Sequence, residues 1–488
     1  MSATIEIGNY LKNRWSAPSG YREVLAIAGP LILSTSSWSI QHVVDRMFLC
    51  WYSPSAMAAA LPAGALNFTF IAFFVGTASY VNTFVAQYHG AKRPERIGPS
   101  IWQAIYFSLL GGATMLCLIP CADSIFRFAG HDAEVQSLES VYFRILCLGG
   151  IFPVYCSAVS GFFTGRGKTW TVMWVSFLST GINIVLDYLL IFGHLGFPEL
   201  GMKGAAIATV LSAFSRALVF SILIFSATHR REFNTFKGRR FERELFGRLM
   251  RFGIPSGIQF FLDMLAFSMF NLLVGRIGTS ELAATTLAFQ INTLAFMPMI
   301  GFGIAVSTLV GQRLGENKPD LAARSTWSTF HMTFCYMAAI AALFVLVPSV
   351  FIAPFAANAD PERFVNIYPI AIVLLRFVAL YCLFDGINIV FASALKGAGD
   401  TKFVMYFVVG TAWAVMVLPS WFVLDRGIGG LYTVWMFFTL WVCILAVGFL
   451  IRFLRGKWRE MRVIEKAPEA VKATDVPLPE SPTADVDL

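Results

Sequence analysis

The sequence predicts an all-α polytopic membrane protein, with twelve transmembrane helices in two six-helix lobes related by a pseudo-twofold axis along the membrane normal. Three observations predict it. Of 488 residues, 57% are hydrophobic and only 14% charged, more apolar surface than a soluble domain of this size can cover. Apolar runs long enough to cross roughly 30 Å of hydrocarbon recur along the chain. The chain also repeats itself. Pro30, Ala58, Ala59, Gly76, Thr83, Val85, Gln87, Gly90 and Pro94 recur as Pro255, Ala283, Ala284, Gly301, Thr308, Val310, Gln312, Gly315 and Pro319, 225 positions on in each case (30 to 255, 94 to 319). Gly165, Gly167 and Thr169 recur as Gly397, Gly399 and Thr401, 232 positions on (165 to 397). Two related apolar halves place a site between or inside them.

The predicted spans are 23–50, 56–87, 99–121, 138–163, 170–193 and 203–226, then 252–276, 282–312, 326–348, 368–395, 403–424 and 430–452. Some exceed the bilayer thickness, so tilts or kinks are expected. Prolines supply candidate kinks: Pro30 and Pro255 near the starts of the first and seventh spans, Pro62, Pro153 and Pro298 deeper. Each removes one backbone hydrogen bond. Six spans per half return each half to the side it started from.

Charge sorts the two sides. About 28 of the 37 Lys and Arg fall on one of them, in the tails and in links such as Lys92–Arg96, Arg166–Lys168 and 228–251. By the positive-inside rule this face is cytoplasmic. The net charge of +8 is therefore a topology signal, and nucleic-acid binding is not expected. The predicted organisation is a cytoplasmic segment 1–22, an N-lobe 23–227, a linker 228–251, a C-lobe 252–455 and a disordered cytoplasmic tail 456–488. The linker is expected to carry an amphipathic surface helix, and the tail is rich in Pro, Asp, Glu and Ala. Residues 1–21 lack the apolar core of a signal peptide.

Several chemistries lack their tools. The eight cysteines show no CxxC and lie mostly in apolar runs, as buried small hydrophobes do. Gly165-Arg-Gly-Lys-Thr169 resembles the end of a phosphate-binding loop, but Phe162 stands where its first glycine belongs, and the repeat copy lacks the lysine. HExxH, GxSxG and a DDxxD-like cluster are absent. An enzyme is not expected, nor a cofactor.

Ionisable groups inside spans cost about 2.5–3.5 kcal/mol each, so each is a candidate for function. They are Asp45, Arg46, Asp187, Arg216, Asp263, Arg376 and Asp385. By the repeat register, Asp45 corresponds to Phe270, Asp263 to Trp38, Asp385 to Pro153 and Asp187 to Pro419. No acid has an acidic mate, so the lobes share a scaffold but hold different sites. Cation or proton binding is the favoured reading for the four acids, over helix–helix hydrogen bonds. The arginines are read the other way, as snorkelling or structural groups. Asn183 lies four residues before Asp187 and Tyr381 four before Asp385, each pair on one helix face. An amide oxygen beside a carboxylate suits Na⁺ or a protonated carboxyl. The Phe- and Met-rich stretch Ala295-Phe-Met-Pro-Met-Ile-Gly-Phe302 fits core or lipid packing, and equally a broad-specificity cavity.

Val44-Asp45, Val85-Ala-Gln-Tyr-His-Gly90, Val310-Gly-Gln-Arg-Leu-Gly315 and Pro198-Glu-Leu-Gly-Met-Lys-Gly-Ala-Ala206 together resemble the multidrug and toxic compound extrusion (MATE) transporters, over about residues 20–455. The resemblance, to the prokaryotic NorM-type branch, implies export of organic cations or amphipathic drugs in exchange for Na⁺ or H⁺, from a bacterial inner membrane, by a monomer with both termini cytoplasmic. It implies a C-lobe ion or proton site at Asp263, Asp385 and Tyr381, and an N-lobe site at Asp45, Asn183, Asp187 and Thr209. Gln290, Asn292, Phe296 and Met297 are expected to meet substrate. One departure is Phe289-Gln290, where many members carry His-Gln. The alternative is a flippase for lipid-linked oligosaccharides, which would need several basic residues in its cavity for a pyrophosphate.

Overall fold

The computed structural model describes residues 14–129, 132–356 and 361–465. Most of the segment 1–22 and residues 466–488 of the expected tail lie outside the described residues. Twelve spanning units follow one another. They are α1 (Tyr21–Tyr52), α2 (Pro54–Gly90), α3 (Ile97–Cys117), α4 (Ala133–Leu148 with Ile151–Gly165), α5 (Thr169–Phe192) and α6 (Met202–Ile224). Then come α7 (Arg243–Gly275), α8 (Thr279–Gly315), α9 (Pro319–Leu346), α10 (Pro361–Ala398), α11 (Thr401–Asp425) and α12 (Leu431–Leu454). Among the described residues eleven helices are long and apolar enough to cross a membrane, and α4, taken as one span, makes the twelfth as a pair bent by 40°. The bend falls at Gly149-Gly150, just before Pro153. Pro30, Pro62, Pro255 and Pro298 are each absorbed inside one helix.

The linker differs from its prediction. Helix α7 begins at Arg243, and among the described residues of the linker stand one short α-helix, Ala227–Glu232, and a single 3-10 turn, Lys237–Arg239. The rest lies on the N-lobe: Gly98 N–H donates to Phe233 O (3.0 Å) and Trp102 Nε1 to Thr235 O (2.7 Å). Arg166 is held between the rings of Phe162 and Phe233, at 4.5 and 3.9 Å from their centroids.

Helices α1 and α8 pack together, as do α7 and α2, so each lobe hands its first helix to the second helix of the other. The apolar inner half of α1 (Val24, Ala28 and Leu31) is buried with Phe270, Ala288 and Met299 of the C-lobe. The repeated residues sit on this contact. A Cβ on Gly76 would lie 3.0 Å from Gly257 Cα, and one on Gly301 would lie 2.7 Å from Ile32 N. These two contacts are mates under the 225 offset. So are the next two: a Cβ on Gly90 would clash with the Gln312 carbonyl, and one on Gly315 with the Gln87 carbonyl. Gln87 Nε2 donates to Gly397 O (3.1 Å) and Gln312 Nε2 to Gly165 O (2.8 Å). The sequence repeat is thus a pseudo-twofold set of interlobe contacts.

These contacts close the basic face. Asn82 Nδ2 donates to Thr308 Oγ1 (3.1 Å) and Tyr80 Oη to Lys396 O (2.8 Å). Arg313 reaches Glu23 in α1, and donates from Nε to Ser19 Oγ (3.1 Å). The interlobe bond nearest mid-membrane runs from Thr35 Oγ1 to Met297 O (3.0 Å).

The chain after α12 adds a clamp, so the first ten residues of the expected tail are folded. Trp458 is buried, and Val463 N–H donates to Gln87 Oε1 (2.9 Å). Glu465 meets Arg93 (2.8 Å) and Arg96 (3.4 Å) of the N-lobe and Arg248 of α7 (2.5 Å), and accepts from Tyr88 Oη (2.7 Å). Burial pushes its carboxyl up, but the hydrogen bond from Tyr88 and the contact with Arg248 outweigh it and hold it down to about 2. A carboxyl depressed from its ordinary value contributes above that value and loses its contribution only as pH falls through about 2. The clamp is therefore charged throughout the physiological range.

Two outcomes follow. Gly90→Ala and Gly315→Ala each lower stability by about 1–3 kcal/mol through overpacking, read as thermal unfolding in detergent. Gly247→Ala, where a methyl meets nothing within 4 Å, leaves it unchanged. Glu465→Gln lowers the protection factors of the amides over residues 87–96 by about tenfold or more, whereas moving wild type between about pH 5 and pH 8 leaves those factors, corrected for the intrinsic pH dependence of exchange, unchanged.

Candidate functional site

A cavity of about 960 Å³ lies between the lobes, above the closed basic face. Its floor includes Tyr80, Asn82, Ser307 and Lys396, the level of the interlobe hydrogen bonds. One helical face of α8 enters it: Phe289, Asn292, Thr293, Phe296, Met297 and Ile300, spaced as i, i+3, i+4, i+7, i+8 and i+11. Asn292, Phe296 and Met297 are thus part of the cavity wall.

Gln290 is not. It lies round the helix from Phe289, in a separate recess of about 450 Å³ with Thr286, Leu287 and Phe364. One residue along an α-helix is about 100° of rotation, enough to leave the cavity. Phe289, the departure from the family's pattern, is the residue that faces inward. Its ring stacks on Trp435 (centroids 5.0 Å, 21°) and meets Phe267 at 4.9 Å. At this position the cavity wall is apolar.

The C-lobe carboxylates line the same cavity. Asp263 accepts from Gln259 Nε2 one helical turn away (3.3 Å). Its electrostatic partner is the Lys396 ammonium. Asp385 is 8% exposed and accepts from Asn388 Nδ2 (3.2 Å). Tyr381, one turn before it, lines the cavity with a buried hydroxyl that has no hydrogen-bond partner. Its ring packs on Phe438 (5.4 Å).

Lys396 corrects the sequence reading, which placed it in a basic link. It belongs to α10, and its charge points into the cavity against Asp263. Arg216 also lines the cavity, from α6. Arg46 and Arg376 are exposed on the outside of the helices, as snorkelling groups are. Glu139 in α4 is fully buried and was missed as an intramembrane acid, because it sits one residue inside the predicted span start.

The N-lobe acids form a separate place. Asp45 of α1 and Asp187 of α5 stand carboxyl to carboxyl within hydrogen-bonding reach, with Tyr142 of α4 beside them. Asn183 and Asp187 are both fully buried. Among the described residues neither Asn183 amide atom has a hydrogen-bond partner, nor does either Asp187 oxygen find a donor. Two adjacent carboxyls in a dry site demand a positive charge between them, a shared proton or a small cation. The unpartnered Asn183 oxygen supplies a further hard ligand for a cation such as Na⁺. Thr209 is not drawn in: its hydroxyl donates to Ala205 O on its own helix (3.0 Å). None of these residues lines the large cavity, but Gln41 does. It stands one turn before Asp45 on the same face of α1. In the C-lobe the mate of Asp45, Phe270, is fully buried among Phe289, Trp435 and Phe438.

Comparison with known proteins places this arrangement. The family model MatE matches residues 30–189 and 255–422, two segments that begin at the first repeated pair, Pro30 and Pro255. The probable multidrug resistance protein NorM of Brucella suis biovar 1 is 27% identical over 452 residues, covering 91% of this chain and 94% of that protein. The protein of that name from Pseudomonas putida is 28% identical over 456 residues, covering 91% and 96%. An outward-facing conformation of a multidrug resistance MATE family transporter of the MOP superfamily shares the fold with a TM-score of 0.83 at 21% identity, covering 92% of this chain and 98% of that one. A MOP superfamily transporter from Pyrococcus furiosus, described as having a binding pocket of reverse polarity, gives 0.82 at 22% identity, covering 91% and 97%. With the family match in both lobes and the twelve-helix fold, the chain belongs to the MATE family of membrane transporters and is not an enzyme.

Proposed function

We propose that this protein exports amphipathic organic molecules, organic cations among them, by alternating access, and that an ion entering through the Asp45–Asp187 pair drives the export. The observation that carries this reading is the separation of two kinds of carboxylate. Asp263 and Asp385 line a cavity large enough for a drug-sized molecule. Asp45 and Asp187 face each other outside it, with Asn183 alongside on α5. The basic face is the cytoplasmic one, so the closed basic face is that of an outward-facing state. The curated relatives named as multidrug resistance proteins support the substrate class.

Coupling needs a path between the two places, and α1 supplies it. Gln41 in the cavity and Asp45 in the acid pair share one face of this helix. A proton or Na⁺ arriving at Asp45 and Asp187 removes their mutual repulsion and changes how α1 sits against α5. Substrate on Gln41 feels the change. The flippase reading gains no support, because a pyrophosphate calls for several basic residues and, among the described residues, the only basic ones lining the cavity are Arg216 and Lys396, the latter electrostatically partnered by Asp263.

The test is ethidium efflux from liposomes holding the purified protein, under an imposed Na⁺ gradient or an imposed pH gradient. Asp45→Asn and Asp187→Asn are each expected to abolish accumulation against a gradient while ethidium affinity stays within about threefold, about 0.6 kcal/mol. Normal uphill export by both variants sinks the coupling proposal. Asp385→Asn acts in the cavity and is expected to weaken ethidium binding by about tenfold or more, about 1.4 kcal/mol, read as fluorescence titration. The gradient that drives flux identifies the ion.

A further inference from the structure

The cavity walls differ. From the N-lobe come hydroxyl side chains, among them Ser160, Ser176 and Ser179, and one formal charge, Arg216. The C-lobe side is aromatic, with Phe289, Phe438 and Trp441, and carries Asp263, Asp385 and Lys396. Lys396 and Asp263 answer each other electrostatically. That leaves Asp385 and Arg216, on opposite walls.

Nothing among the described residues answers Arg216. It makes no ion pair there, and its Nε is buried without an acceptor. Its guanidinium carbon lies 5.9 Å from the Phe220 ring centroid, a weak contact for a full charge. Two of the nearby hydroxyls are turned to backbone: Ser179 Oγ donates to Ser212 O (3.1 Å) and Ser160 Oγ to Ser157 O (3.1 Å). Arg216 stands eight residues from the end of α6 at Ile224, about 12 Å along the axis, so it is not a helix-end anchor. A guanidinium offers five donors in a planar fork and takes carboxylate or phosphate two bonds at a time.

We infer that Arg216 is a subsite for an anionic group of the cargo, and that the favoured substrates are zwitterionic amphipaths. Their anion docks on Arg216, their cation faces Asp385, and their apolar body lies on Phe289, Phe438 and Trp441. This rests on the export reading above and narrows its substrate class.

The test uses tetramethylrhodamine and its methyl ester, which share a ring system and a cation but differ in the free carboxylate. Binding to the purified full chain is followed by fluorescence anisotropy for wild type, Arg216→Gln and Arg216→Lys. Arg216→Gln is expected to weaken the acid by about tenfold and the ester by less than about twofold; Arg216→Lys recovers part of the loss, since it keeps the charge but not the fork. Equal loss of both probes, or no loss of the acid, overturns the subsite. Wild type that binds and exports the ester but ignores the acid also overturns it, and leaves drug export standing. Wild type that binds and exports neither probe overturns the subsite and the export reading together.

Discussion

The structure depends on two backbones touching at Gly90 and Gly315. At these glycines α2 and α8 approach so closely that a methyl group on either meets a carbonyl of the other helix. Gln87 and Gln312, each one turn earlier, then reach across to Gly397 and Gly165. Glycine here supplies proximity rather than unusual torsion angles. The approach brings the amide side chains within range of carbonyls that helix ends leave unpaired, and it seals the floor of the cavity. Because the contacts come in mates, the floor opens only when both members of each pair part. A packed contact of this kind has two arrangements and no soft continuum between them.

On that symmetric frame the chemistry is asymmetric. Where the N-lobe holds Asp45, the C-lobe holds Phe270 in an aromatic core. A duplicated scaffold thus keeps one carboxylate pair dry and apart, and puts the other two acids on the wall of the interlobe cavity. Under the proposed exchange for one entering ion, the charge of the cargo governs how far it is concentrated. One charge entering down roughly 100 mV releases about 2.3 kcal/mol, and a tenfold ion gradient adds about 1.4 kcal/mol. A monovalent cation leaving in exchange for one entering ion cancels the voltage part and is held at about tenfold. A net-neutral zwitterion keeps both parts and is held at several hundredfold.

Much of this was legible in the sequence because repetition marks contact. Among the residues that recur at the 225 offset, Gly76, Gln87 and Gly90 and their mates Gly301, Gln312 and Gly315 meet the opposite lobe, since a contact that must form twice constrains two positions at once. The acids were legible because charge inside an apolar run is costly. Lys396 was not: a lysine near a helix end reads as a link residue, and only the length of α10 carries it into the cavity. Gln290 was misplaced by one residue of helical rotation. Thr209 was placed by resemblance, and a hydroxyl in an apolar helix bonds its own backbone unless a neighbour is nearer. The clamp at Glu465 was illegible, because a carboxylate in a polar stretch looks the same whether it is solvated or held by three arginines.

That clamp bears on how the protein is made. Arg93, Arg96 and Arg248 leave the ribosome long before Glu465, and all twelve helices are synthesised before their shared counter-charge exists. Until then Arg93, Arg96 and Arg248 have only their separate partners Glu95, Glu242 and Glu244, and Gln87 lacks the Val463 amide that later holds it. The clamp is thus the last of the basic-face contacts that translation supplies. A chain that ends just after Leu454 inserts its helices yet never receives the residue that locks them.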